Sequence, residues 1–344
     1  MKKPLKETEY AYASARIRAM ENRLVGRERM EVLIEAKTVA EAMGQLAEYG
    51  VLSVEAPSGE GTALRLTGDA REEMLLDVLR TAYREVEAAA PDAAVFRWFR
   101  YPYDCNNIKV AIKCHIRGID PDGMLFDFGT VPAGDVMEAV TASDYRAYPS
   151  AMAAAAPRAK EAYAKTGDPC KIDAILDRAC YEDMLANASA SMDDTLVGWL
   201  RAKIDLVNMM ICVRILRMKR GDIGLDFMRE TLLTGGTLSA AFFEAAYAEG
   251  EKALWDALRY TAYGRVSATI EKTDGSLARM EACLDDHWMS LVREGSRSAF
   301  GAAVLGGYLI GCETSVKNMR IVLAAKDAGL PVEAIRERVR VSYV

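Results

Sequence analysis

The side chains with the clearest capacity for chemistry are two acidic doublets, Asp193–Asp194 and Asp285–Asp286. Neighbouring carboxylates on helices can hold magnesium against a diphosphate. Neither doublet continues as DDxxD, so the carboxylate one turn later that would close around the ion is missing. Both are therefore read as helix-start or solvated carboxylates. His115 and His287 are the only histidines, and neither stands in HExxH. Cys283 and His287 lie one turn apart and share a helix face, but no second pair completes a zinc site, and Cys105 and Cys114 are isolated. The stretch SGEGTALRLTG sets no lysine beside a serine or threonine, so it reads as a glycine-rich turn and not as a phosphate cradle. No serine or cysteine has a His–acid arrangement behind it. These residues predict no catalytic site, no metal and no cofactor. An enzyme would need a deep polar pocket with converging carboxylates or histidines, which they do not supply.

The chain that positions these groups has 344 residues, 51% apolar and 27% charged, enough for a large core divided into two or three units. Its net charge of -6 argues against broad nucleic-acid binding, which leans on dense positive charge. Seven cysteines, an odd number without CxxC spacing, fit a reduced cytoplasmic setting. The longest apolar run, Ala299 to Cys312, is too short to span a bilayer and reads as a buried helix.

Helical periodicity dominates. In LGGYLIGCETSVKNMRIVLAA, Leu305, Leu309, Cys312, Val316, Met319 and Leu323 form one apolar face, while Glu313, Lys317 and Arg320 line another. Asn318 interrupts this helix although asparagine is a weak helix former. The same oddity recurs at Asn208 in KIDLVNMMICVRILRMKRG and at Asn107 in YDCNNIKVAIKCHIRG. A threonine-opened helix precedes each: Thr38, Thr130 and Thr237, the last two directly after a glycine. Each threonine is read as an N-cap. Leu176, Asp177 and Tyr181 echo Leu284, Asp285 and Trp288, and GLDFMRETLLTGGT echoes GLPVEAIRERVRV. The common order predicts an all-α chain of three similar modules, residues 1–118, 119–221 and 222–344, with boundaries near Gly118 and Gly221. Val54 to Gly68 is the least helical stretch and reads as a short hairpin or ordered loop. PSAMAAAAPRAKEAYAKTGDPC reads as a flexible or helical connection. Met209, Met210, Met218, Trp98 and Phe99 read as core.

YAYASARIRAMENRL, YPYDCNNIKVAIKCHIRG and YLIGCETSVKNMRIVLAAKDAGLPVEAIRERV together resemble the C-subunit family of the archaeal and bacterial V/A-type ATPases, which is related to the eukaryotic V-ATPase d subunit. The matching pattern is acidic–Asn–basic, at Asp104, Asn107 and Lys109 and at Glu313, Asn318 and Arg320. The middle copy keeps Asp205 and Asn208 but has Met210 at the basic position. The resemblance implies a funnel of three helical modules with pseudo-threefold arrangement. It also implies a non-catalytic rotor adaptor that receives the D and F subunits of the central stalk and sits on the membrane c/K ring, peripheral at the cytoplasmic face. It implies neither a span of its own nor nucleic acid as a partner. A helical scaffold or regulatory binding module outside the ATPase is the alternative.

Two sets of residues are singled out on this reading. Arg16, Arg18 and Arg23, opposite the apolar Ile17/Met20/Leu24 side, are candidate partner contacts, as are Lys317 and Arg320. Asn107, Asn208 and Asn318 are candidate architectural residues whose amides join helices or hold a nearby loop backbone.

Overall fold

The computed structural model describes residues 5–52, 68–218 and 224–344. Most of the stretch read as a hairpin, including SGEGTALRLT, and the boundary at Gly221 lie outside the described residues. Among those described, the chain is all-α and no strand occurs. The α-helices are α1 (Ala11–Glu21), α2 (Arg27–Glu35), α3 (Val39–Glu48), α4 (Gly68–Ala89), α5 (Tyr101–Arg117), α6 (Ala133–Ala142), α7 (Ser150–Thr166) and α8 (Pro169–Ala190). They continue as α9 (Asp194–Arg217), α10 (Leu225–Thr231), α11 (Ala240–Glu249), α12 (Glu251–Leu258), α13 (Gly264–Ile270), α14 (Leu277–Gly295), α15 (Ala302–Asp327) and α16 (Val332–Arg336).

These helices fall into two compact units, residues 1–93 with 268–344, and residues 94–267. In the first, α15 is the hub, packing against α4, α1, α14, α2, α3 and α16. Its turns from Ala302 to Cys312 are buried on every side, which explains an apolar run without a polar face. All six predicted core residues from Leu305 to Leu323 are buried. Ala299 and Phe300, the first residues of that apolar run, are exposed and precede the helix. In α4 the core face is Leu75, Leu76, Leu79, Ala82, Tyr83 and Val86, with Met74 and Val78 only half-buried. Leu75, Leu79 and Tyr83 supply the larger apolar surface of that face.

Two glycines let the hub accept another segment at close range. A Cβ on Gly307 would lie 2.0 Å from Ser296 Oγ, and one on Gly311 would lie 2.8 Å from the Tyr343 ring. Tyr343 fills that groove and donates from its hydroxyl to Glu21 at 3.0 Å.

In the second unit α8 packs against α7, α5, α9 and α10, and α9 also touches α10, α11 and α12. The alanine-rich connection is helical, as α7, with Pro157 inside it. Pro149 gives α7 no side-chain cap. Asp183 of α8 supplies the missing acceptors, taking Ala151 N at 2.9 Å and Met152 N at 2.8 Å. Trp98 and Phe99 are buried and stacked, with ring centroids 3.7 Å apart. Met209 and Met210 are buried, whereas Met218, at the end of α9, is exposed and leaves the predicted core.

Only one of the three threonines caps a helix. Thr38 Oγ1 accepts from Glu41 N at 3.1 Å. Pro132 stands at the N-cap of α6 and Ser239 caps α11. Thr130 and Thr237 instead donate their hydroxyls to buried aspartates, Asp104 and Asp205.

Adding a methyl at the groove tests this packing. Gly311→Ala should lose about 1–3 kcal/mol in a urea titration, because the Tyr343 ring must leave its seat. Tyr343→Ala in the same background should remove most of that difference, and additive losses would contradict the seating.

Candidate clamps and contact faces

Each of the three asparagines is buried in a long helix and bonds one residue of a distant non-helical segment twice. Asn107 Nδ2 donates to the Phe126 carbonyl at 2.8 Å, and its Oδ1 accepts from Phe126 N at 2.9 Å. Asn208 does the same to Leu233, at 2.9 and 2.8 Å. Asn318 does so to Arg340, at 2.9 Å for both bonds. An amide carries a donor and an acceptor side by side, so it pairs with the N–H and C=O of one residue as a strand neighbour would. That geometry answers why a weak helix former sits in three core helices. A carboxylate would leave the carbonyl unpaired, and an alkyl side chain would leave both groups unpaired.

One turn before the asparagine, the first two copies carry a buried acid. Asp104 accepts from Thr130 N at 2.8 Å, Thr130 Oγ1 at 2.6 Å and Val131 N at 3.1 Å. Asp205 accepts from Thr237 N at 2.9 Å, from Leu238 N at 3.1 Å and from the Thr237 hydroxyl. These bonds consume the threonines that sequence spacing assigns to N-caps. They also explain the preceding glycines: a Cβ on Gly129 or Gly236 would lie 2.1 Å from the Asp104 or Asp205 carboxylate. Tyr263 adds a fourth donor to Asp205, at 2.7 Å. The repeated spelling YxAY, at Tyr145–Tyr148 and Tyr260–Tyr263, was the available signal for this tyrosine.

The third copy departs from the other two, and the matching of Glu313 with Asp104 needs correction. Asp104 and Asp205 stand three residues before their asparagines, one helical turn, whereas Glu313 stands five before Asn318. The residue at the equivalent position is Ser315, which is buried. Glu313 accepts from the Tyr83 hydroxyl at 2.6 Å instead. The acidic doublet Asp285–Asp286 takes over part of the task in mid-helix, so it is neither a helix start nor freely solvated. Asp286 accepts from Val341 N at 2.7 Å, and Asp285 accepts from Lys317 at 2.6 Å and Arg340 at 3.0 Å. Asp193 does start a helix, accepting from Thr195 N and Leu196 N at 3.0 Å each.

The candidate contact arginines are mostly engaged within the chain. Arg16 pairs with Glu85. Arg18 chelates Glu21 at 2.8 and 3.0 Å and donates to the Ser296 and Ser298 carbonyls, tying α1 to the end of α14. Arg320 grips Glu72 of α4, and Lys317 holds Asp285. Lys109, at the position equivalent to Arg320, pairs with Asp177, and Met210 at that position in the middle copy is buried. Arg23 is exposed and makes no side-chain bond among the described residues.

Surface concavities add little chemistry. A cavity of about 790 Å³ between α7 and α8 has an alanine-rich floor. Most of its rim charges pair among themselves, as Lys165–Glu161, Lys171–Glu230 and Arg178–Glu182, while Arg158 stands exposed beside them. Among the described residues, no three His, Cys, Asp or Glu side chains gather to hold a metal, and no helix is long and apolar enough to cross a membrane.

Burial lifts the Asp104 carboxyl above its ordinary 3.8, against the Thr130 and Val131 donors that favour the charged form. The folded chain therefore holds this proton more tightly than the unfolded chain. Between 3.8 and the raised value, stability falls as pH rises, and acidification through that window restores it. A carbon-detected NMR titration should place the Asp104 midpoint above 3.8, and a midpoint below it would mean that the hydrogen bonds prevail. Asn208→Ala should cost about 1–3 kcal/mol in denaturant, since the N–H and the C=O of Leu233 both lose their buried partner. A change within a few tenths of a kcal/mol would show that water replaces the amide freely.

The amino-acid sequence connects the chain to known proteins. The family description for the ATP synthase (C/AC39) subunit matches residues 13–338. The C subunit of the A-type ATP synthase of Methanothermobacter thermautotrophicus is 25% identical, over 95% of this chain and 87% of its own length. Its counterparts from Thermococcus kodakarensis and Methanocaldococcus jannaschii are each 24% identical, covering 96% and 95% of this chain and 90% and 85% of their own. Members of this family are non-catalytic accessory subunits of rotary ATPases. A match that spans the first helix through the last, including all three clamped asparagines, shows that the chain belongs to the ATP synthase (C/AC39) subunit family.

Proposed function

We propose that this chain is the central-rotor adaptor of a V/A-type ATPase or ATP synthase, joining the D–F stalk to the membrane c/K ring at the cytoplasmic face. The observation that carries the reading is the family match from residue 13 to residue 338, which takes in nearly the whole chain. On this reading ion movement and nucleotide hydrolysis occur in other subunits, and the adaptor is attached through protein contacts.

The geometry suits such a task. An adaptor that carries torque must resist deformation at its surface loops, where partners bind. Loops held by buried amides and carboxylates deform less than loops held by solvent-facing bonds. The clamp recurs at sequence separations of 19, 25 and 22 from asparagine to held residue. That recurrence supports the division into three modules, 1–118, 119–221 and 222–344, set around an axis as a funnel. Asn107, Asn208 and Asn318 are the architectural residues of this arrangement.

Arg23 is the first of the candidate contacts to test, because reversing Arg16, Arg18, Lys317 or Arg320 also breaks an internal bond. Native mass spectrometry of the purified protein with a D–F complex, then with detergent-solubilised ring, should show one copy bound to the stalk and then bridging both. No association with either, by a folded sample, would overturn the proposal. Arg23→Glu should weaken one of the two contacts by about 1 kcal/mol, roughly fivefold in Kd, with thermal stability unchanged. Unchanged binding to both would remove Arg23 from the contact face.

A further inference from the structure

Besides Arg23, the unit built from residues 1–93 and 268–344 carries unspent positive charge away from the arginines that helical periodicity singles out. Arg27, Arg293, Arg336 and Arg340 surround a cavity of about 580 Å³ between α2, the end of α14 and the segment after α16. Glu31 is the one acidic side chain among its described lining residues. It is already held by Arg336, and Arg340 is turned to Asp285. Arg27 and Arg293 are exposed and have no side-chain partner among the described residues.

Arg27 is also badly placed for its own helix. It follows the N-cap Gly26 directly, so a cation faces the positive end of the α2 dipole. Helix stability does not account for a cation there. The cavity has a second character as well. Met30 and Ile34 form a buried floor, while Val341 and Val344 stand 41% and 44% exposed at its edge. Exposed aliphatic groups thus border two unpaired guanidinium groups within one concavity.

We infer that this cavity is a docking site for an acidic protein segment bearing aliphatic side chains. Charge complementarity fixes the sign of the partner: in a chain of net charge -6, two unpaired guanidinium groups in one concavity draw an acidic segment to this locality. The aliphatic border selects against a bare anion, which gains nothing from Val341 and Val344. The concave shape suits an inserted side chain better than a flat lipid surface. This partner chemistry does not depend on the rotor reading, which names a complex and not the segment that fits this cavity.

The test uses the full chain and fluorescently labelled helical peptides at low salt, read by anisotropy. One peptide combines glutamates with a leucine stripe, and a second replaces the leucines by serine. The leucine peptide should bind, and Arg27→Gln with Arg293→Gln should weaken it by about tenfold. Both positions are exposed, so circular dichroism and the melting curve should match the parent protein. Val341→Thr should also weaken binding, in the leucine peptide only. Equal binding of the serine peptide would overturn the aliphatic part. Unchanged affinity in the double variant, or binding of inorganic phosphate or phosphatidylserine vesicles at this site with none of the leucine peptide, would overturn the proposal.

Discussion

A buried amide that meets the N–H and C=O of one residue with both of its hydrogen-bonding edges is the interaction on which this fold depends. Helices pack by side-chain surface, and that packing leaves connecting segments with unpaired backbone groups. In this chain the connections that cross the core helices are long, and their peptides at Phe126, Leu233 and Arg340 are met by Asn107, Asn208 and Asn318. The asparagine trades helix propensity, a cost of under ~1 kcal/mol, for two buried bonds that no apolar residue can make. Asp104 and Asp205 extend the same logic to the following residues, and Gly129 and Gly236 leave the room for them to approach.

The charged residues follow a related economy. A chain with 44 basic and 50 acidic residues can neutralise most cations internally, and Arg16, Arg18, Lys317 and Arg320 are all neutralised or bonded in this way. Being on the polar side of an amphipathic helix therefore says little about whether a charge is available to a partner. Availability depends on which helix lies opposite, and that is tertiary information. Arg27 and Arg293 show the contrast, since neither lies in a periodic basic stripe and both remain exposed.

Helical class and the core of α15 were legible in the sequence because apolar spacing at 3.6 residues depends only on local order. The asparagines were legible as anomalies, since a weak helix former repeated in one context demands an explanation. Their partners were not. Phe126, Leu233 and Arg340 share no residue type because backbone atoms make the bonds. Thr130 and Thr237 misled for a related reason: a hydroxyl near a helix start fits an N-cap by spacing alone, as it does at Thr38, and only the proximity of Asp104 and Asp205 turns it into a donor. Likewise, the register of Glu313 against Asp104 slipped because sequence pattern tolerates a two-residue offset that a helix face does not.

Native-state hydrogen exchange at the backbone amides of Phe126, Leu233 and Arg340 tests the central claim most directly. None of these amides bonds within a helix, and each is held by an asparagine Oδ1 at 2.8–2.9 Å. If the clamps fix the loops to the core, the three amides exchange as slowly as those in the middle of α5, α9 and α15. Exchange at the rate of ordinary surface loops, in a protein whose helices remain protected, would contradict the account.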